Sequence, residues 1–160
     1  MTRRETSVDD LIEQKLTEQY QKYYRLAYSY VRNEADAMDI VQEGAYRAIL
    51  KSNTLQKREY LETWLYRIMI NAALDFIRKN RRECTGIEGT SESGASQDRY
   101  EDIDLARAIK ALGEPDTTII RLRYYEEMKL EQVAEIIGEN VNTVKSRLYR
   151  ALKKLRLAIE

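Results

Sequence analysis

The feature that most constrains this chain is a short stretch with little to bury. Between Cys84 and Gln97 stand three of the six glycines (Gly86, Gly89 and Gly94), together with Thr85, Thr90, Ser91, Ser93 and Ser96. Ordering such a segment costs backbone entropy that burial does not return, so it reads as a flexible linker. The linker, taken as 83–101, divides the 160 residues into a front segment, 1–82, and a back segment, 102–160. Segments of that size bury modest cores and are only moderately stable alone, so a partner that covers apolar surface would help each of them.

Outside the linker, apolar residues recur at three-and-four spacing and not in alternation, which predicts helices and no strand of convincing length. In the front segment one helix is expected over Val8 to Val31. A second starts at Asn33 to Asp36, with acids in its first turn. Its apolar face is Ala37, Ile40, Val41, Ala45, Ala48 and Ile49. Leu61, Leu65, Ile68, Ala72 and Phe76 mark a third. In the back segment Ile103 to Leu112 is expected to be helical and to stop at Gly113-Glu114-Pro115. Asp116 is a candidate cap for the next helix, which carries Ile119, Ile120 and Leu122. Leu130, Val133, Ala134 and Ile137 then form a short stripe that Gly138 ends in a left-handed conformation. Asn142 is a candidate cap for a final helix that buries Val144, Leu148, Ala151, Leu152 and Leu155. The expected class is all-α: two small helical domains joined by a flexible linker.

Composition narrows the chemistry. There is no histidine, which removes the commonest general base and the commonest zinc ligand. Cys84 is the only cysteine, so neither an internal disulfide nor a thiolate cluster is available. No cofactor or metal is implied, and an enzyme is not expected. No apolar run approaches the roughly 18 residues of a membrane span, and the charged first ten residues lack the apolar stretch of a signal peptide, so a cytoplasmic protein is expected.

The net charge of zero, 27 basic against 27 acidic residues, hides an uneven layout. From Asn140 to Ile159 there is no acid, yet Lys145, Arg147, Arg150, Lys153, Lys154 and Arg156 are basic. A short helix, a glycine turn and a second helix with a basic outer face describe a helix-turn-helix. Val144, Leu148 and Leu152 give the second helix its apolar inner face. Lys145, Ser146, Tyr149, Arg150 and Lys153 lie on its outer face, where Arg can pair with guanine and Lys and Ser can reach bases or phosphates.

Leu130-Glu-Gln-Val-Ala-Glu-Ile-Ile-Gly138 followed by Asn142-Thr-Val-Lys-Ser-Arg-Leu-Tyr-Arg-Ala151 resembles the DNA-binding motif of sigma-70 family factors, in particular the extracytoplasmic-function group and its SigV-like branch linked to cell-envelope stress. Response regulators with a helix-turn-helix output domain share the motif more loosely, but nothing in the front segment reads as the parallel strands of their receiver domain. The front segment instead resembles the second conserved domain of sigma factors, in Arg25-Leu-Ala-Tyr-Ser-Tyr-Val31, in Ala37-Met-Asp-Ile-Val-Gln-Glu43, and in Thr63-Trp-Leu-Tyr-Arg-Ile-Met-Ile-Asn-Ala-Ala-Leu-Asp-Phe-Ile-Arg78.

This resemblance implies a transcription initiation factor whose partners are core RNA polymerase, promoter DNA and an anti-sigma protein, which in relatives is often membrane-anchored. Asp39, Gln42 and Glu43 share a helix face by spacing, and the resemblance makes that face the contact for the clamp helices of the largest polymerase subunit. Arg67, Asn71, Asp75 and Arg78 share a polar face, with Lys79, Arg81 and Arg82 at its end. The resemblance places capture of a flipped minus-ten base on the loop from Asn53 to Tyr60 and on Tyr66, Asn71 and Asp75, with Arg67, Arg78 and Lys79 as the basic groups of the same minus-ten site that track the separated strand. It places minus-thirty-five contacts at Lys145, Ser146, Tyr149 and Arg150, with Arg147 and Lys153 in support. Trp64 is open to core packing or strand contact, with packing favoured, and the tyrosines Tyr20, Tyr23, Tyr24, Tyr28 and Tyr30 read as core or interface residues more than as DNA ligands.

Two departures from the family pattern stand out. Gly44 sits where a larger residue is common, at a cost of up to about 1 kcal/mol in helix stability. Leu112-Gly-Glu-Pro115 replaces the usual Leu-Pro turn. The linker's acidity is compatible with the position it takes in relatives, along the RNA exit path. The alternative function is a conventional helix-turn-helix regulator that binds duplex DNA as a symmetric dimer without being a polymerase subunit. A nuclease is disfavoured by the missing histidine and metal motif.

Overall fold

The computed structural model describes residues 7–83 and 97–159, with side chains for 7–81 and 104–157. The chain forms two compact units, Met1–Asn80 and Arg81–Glu160, and the described residues contain helices and turns but no strand. Residues 84–96 of the expected linker lie outside the described residues. Its last part, from Gln97, is already helical.

The first unit holds α1 (Val8–Glu18), α2 (Tyr20–Val31), α3 (Glu34–Leu50) and α4 (Leu61–Glu83). The single helix expected over Val8 to Val31 is broken at Gln19 (φ −104°, ψ 14°). Gln19 carries no helix-breaking side chain, so the sequence holds no marker of this break. Backbone bonds continue across it: the Gln19 N–H donates to the Lys15 carbonyl, and the Gln19 carbonyl accepts from Lys22 and Tyr23. The start of α3 is as read from the sequence, with the Asp36 N–H donating to Asn33 Oδ1 at 2.8 Å.

The core of this unit is built on Ile12, Tyr23, Leu26, Ile40, Leu65 and Met69, all essentially inaccessible to water. The buried face of α4 is turned from the expected one. Leu61, Leu65 and Ala72 are buried, but Ile68 and Phe76 are only half-buried, and Tyr66, Met69, Ile70 and Ala73 take their place. On α3, Ile49 is 43% exposed, whereas Gly44 is buried. A Cβ at Gly44 would run into the Met69 thioether. The glycine therefore permits close approach of α3 to α4, and its helix-propensity cost is set against that packing.

Between α3 and α4 the chain makes two short 3₁₀ turns, Ser52–Thr54 and Arg58–Tyr60. Trp64 is half-buried and donates its indole N–H to Thr54 Oγ1 at 3.2 Å, which ties this loop to the first turn of α4.

The second unit holds α5 (Gln97–Ala111), α6 (Asp116–Ile120), which runs on as a π turn over Arg121–Tyr125, then α7 (Leu130–Ile137) and α8 (Val141–Ile159). Ile119, Leu122, Val133 and Val144 are fully buried at its centre. Asp116 does not cap α6. Glu114 does so from two residues earlier: its carboxylate accepts from the Thr117 hydroxyl, and from the Thr118 N–H (3.3 Å) and hydroxyl (2.6 Å). This fixes the entry into α6 where the usual Leu-Pro turn is missing. Gly113 meets the positive φ of 77° that the turn requires.

Candidate nucleic-acid interface

In the second unit, α7 and α8 form the helix-turn-helix. Gln132 Oε1 accepts from the Lys129 N–H at 3.1 Å, closing the start of α7. Gly138 ends it at φ 73°, and the N–H groups of Gly138 and Glu139 both reach the Ala134 carbonyl. The cap of α8 is Asn140, not Asn142: Asn140 Oδ1 accepts from the Asn142 N–H at 2.7 Å, and its carbonyl accepts from Val144. Helix α8 thus begins with Val141, one residue before the cap expected from the sequence.

Val144, Leu148, Ala151 and Leu155 bury the inner face of α8, and Leu152 is half-buried. Lys145, Ser146, Tyr149, Arg150 and Lys153 are exposed. Tyr149 is 61% exposed. Arg147 is placed differently. Its Nη1 lies 3.3 Å from Asp116 Oδ1, with that carboxylate largely buried, and its Nε is buried without a hydrogen-bond partner. An arginine held this way braces α8 against α6, while its side chain keeps 36% exposure.

In the first unit Asp39, Gln42 and Glu43 are exposed on α3, and Arg67, Asn71, Asp75, Arg78 and Lys79 are exposed on α4. Tyr66 is not among them. It is 2% exposed, and its ring meets Tyr23 edge-on at 5.3 Å, so it is a packing residue in this structure and its expected base contact is corrected. Tyr23 and Tyr30 are also buried, while Tyr20, Tyr24 and Tyr28 stack in series along α2 at about 6 Å between rings.

The two polar faces are joined by a residue not singled out from the sequence. Arg47 of α3 bonds Glu43 Oε1 through Nε at 3.1 Å and Asp75 Oδ2 through Nη1 at 2.8 Å. Arg78 approaches the other oxygen of Asp75 at 3.6 Å. Partial burial pulls the Arg47 pKa down, but hydrogen bonds to Asp75 and Glu43, and the charges of those two carboxylates, outweigh it and raise the pKa further. The Glu43-x-x-x-Arg47 spacing signals the helical half of this network. The half that crosses to Asp75 depends on how α3 meets α4 and leaves no mark in the sequence.

Residues 16–83 match the family model for sigma-70 region 2, and residues 102–155 match that for sigma-70 region 4. Over 146 residues the chain is 44% identical to the RNA polymerase sigma factor SigV of Bacillus subtilis (strain 168), a match that covers 90% of this chain and 88% of that protein. The chain belongs to the sigma-70 family, in its extracytoplasmic-function group. The ECF RNA polymerase sigma factor SigW of the same organism is 33% identical over 152 residues, covering 84% of this sigma factor and 81% of SigW. Two solved structures share the fold. RpoE of Bartonella quintana, in complex with the anti-sigma factor NepR, has a TM-score of 0.67 at 23% identity over 92% of this chain and 95% of that one. CnrH, in complex with the cytosolic domain of CnrY, has a TM-score of 0.69 at 22% identity over 91% and 85%.

The molecule is therefore a transcription initiation factor, with region 2 of the family over residues 16–83 and region 4 over residues 102–155. Among the described residues no helix is long and apolar enough to cross a membrane, and no group of three or more His, Cys, Asp or Glu side chains is placed to hold a metal.

Proposed function

We propose that this sigma factor divides promoter recognition between its two units. Asp39, Gln42 and Glu43 of α3 dock on the clamp helices of the largest polymerase subunit. Arg67, Asn71, Asp75, Arg78 and Lys79 of α4, with the loop that Trp64 pins, hold the unpaired minus-ten strand. Cations follow the backbone of a separated strand while amide and carboxylate groups read base edges. Pulling a base from the stack costs a few kcal/mol, which those contacts must repay. Helix α8 enters the major groove of the minus-thirty-five duplex with Lys145, Ser146, Tyr149, Arg150 and Lys153. Tyr66 and Arg147 support these faces from behind without touching DNA.

The observation that carries this reading is the exposure of a polar and basic stripe on each unit, on α4 within the matched region 2 and on α8 within the matched region 4. A linker between two binding modules makes the second contact intramolecular, so two modest affinities combine. The factor breaks and forms no bond; polymerase does the chemistry. It works in the cytoplasm and is restrained there by an anti-sigma protein, a reading supported by the fold neighbour RpoE, whose structure is a complex with the anti-sigma factor NepR. Membrane attachment would come from that partner.

The test is Asn71→Ala. It is expected to leave duplex binding to the upstream element unchanged while impairing open-complex formation, read by permanganate reactivity of unpaired thymines. Unchanged opening contradicts the assignment of base capture to α4.

A further inference from the structure

Asp75 is an anion in the middle of a face otherwise suited to phosphates, and it is not left alone there. Arg47 reaches it from the neighbouring helix at 2.8 Å, and Arg78 from its own helix at 3.6 Å. The side chain of Arg47 is the most covered of the network, 25% exposed against 47% for Asp75 and 70% for Arg78. The same guanidinium is anchored a second time by Glu43 at 3.1 Å. A planar fork held at two points has little freedom left. It presents Asp75 in one orientation, with one oxygen occupied and the carboxylate's charge partly offset.

We infer that Arg47 is a positioning residue for strand capture: it fixes Asp75 as an oriented acceptor for a base edge and suppresses its repulsion of the phosphodiester backbone. This rests on the reading of α4 as the strand-holding helix. An ionised carboxylate only accepts hydrogen bonds, so the base groups it suits are N–H donors: the exocyclic amine of adenine, cytosine or guanine, or the ring N–H of guanine or thymine. Without Arg47 the carboxylate keeps only the 3.6 Å approach of the exposed Arg78, which leaves it freer to rotate and offsets less of its charge toward the incoming strand.

The test uses holoenzyme assembled in advance with core polymerase, and a fluorescent single-stranded oligodeoxynucleotide carrying the non-template minus-ten strand of a promoter that this holoenzyme transcribes. Affinities are measured in a cycle of Arg47→Ala, Asp75→Ala and the double variant. Arg47→Ala is expected to weaken strand binding by about 5-fold. In the Asp75→Ala background the same change should cost nothing more, because its object is gone. Arg47→Lys keeps the charge but loses the two-point grip, and should fall between wild type and Arg47→Ala.

A loss that is the same in both backgrounds, or an Arg47→Lys variant as weak as Arg47→Ala, overturns the inference, since either is what a general loss of helix packing would give. Asn71→Ala and Asp75→Ala separate this from failure of the underlying reading. If both of these bind the strand like wild type, α4 is not the strand-holding helix, and the role of Arg47 falls with it. If they weaken binding while Arg47 contributes independently, only the inference about Arg47 is lost.

Discussion

Helices α8 and α4 handle charge in opposite ways. Along α8 no carboxylate occurs from Val141 to Ile159, and Lys145, Arg150 and Lys153 stand exposed. Along α4 the exposed cations Arg67, Arg78 and Lys79 share their face with Asp75, which is itself tied to Arg47. A wholly basic helix gains affinity for any duplex by releasing counterions, and adds sequence preference through a few base contacts. A face whose charge is partly cancelled gains little from phosphates and depends on fitting particular unpaired bases. The contrast matches the two proposed tasks: α8 can bind DNA as it stands, whereas α4 needs polymerase to bring it a melted strand.

The largest effect that probes this contrast lies beneath the basic face. Leu148 is 5% exposed on the inner side of α8, and Leu148→Ala should destabilise the second unit by about 2–5 kcal/mol, read by thermal or urea unfolding. Upstream-duplex binding should be lost in parallel. Retained duplex binding in an unfolded second unit would mean that α8 does not read the groove as an oriented helix.

Next in size is the pair Arg150→Ala and Arg147→Ala, two arginines three residues apart with different surroundings. Arg150→Ala should weaken promoter binding by about 1–3 kcal/mol and relax preference at one base pair, measured by competition with single-base variants of the upstream element. Arg147→Ala should leave base preference unchanged and lower the stability of the second unit by about 1 kcal/mol, because it removes the brace to Asp116. If the two results are exchanged, the bracing role read from the 3.3 Å Arg147–Asp116 contact is wrong.

The smallest effect is electrostatic. Lys153→Ala should lower duplex affinity about equally on all sequences and reduce the slope of log affinity against log salt by about 1. Tyr66→Phe should leave strand binding unchanged, since its ring lies in the core.

How far these differences could be read from the sequence depends on what sets them. Apart from the break at Gln19, the helices, the two units, the Asn33 cap and the Gly138 turn follow from periodicity and local hydrogen bonding, and they were legible. So was the outer face of α8, because Val144, Leu148 and Ala151 leave only one way for that helix to turn. Tyr66 was not: it stands at the edge of the apolar stripe of α4, and the stripe is turned to admit Met69 opposite Gly44. Arg147 stands beside the outer face that carries Arg150, and its pairing with Asp116, 31 residues earlier, leaves no mark in the sequence. Arg47 is the same kind of case, its link to Asp75 spanning 28 residues. Local patterns show which residues are polar; tertiary contacts decide which polar groups remain free for a partner.

The central claim is that the two faces act together on polymerase at a promoter. Run-off transcription with purified core polymerase and a matched promoter tests it most directly. A specific transcript is expected only when this factor is added, with Asp39→Ala and Asn71→Ala each reducing it while duplex binding by the second unit persists. The same transcript from core polymerase alone, or no association of the factor with core polymerase, would contradict it.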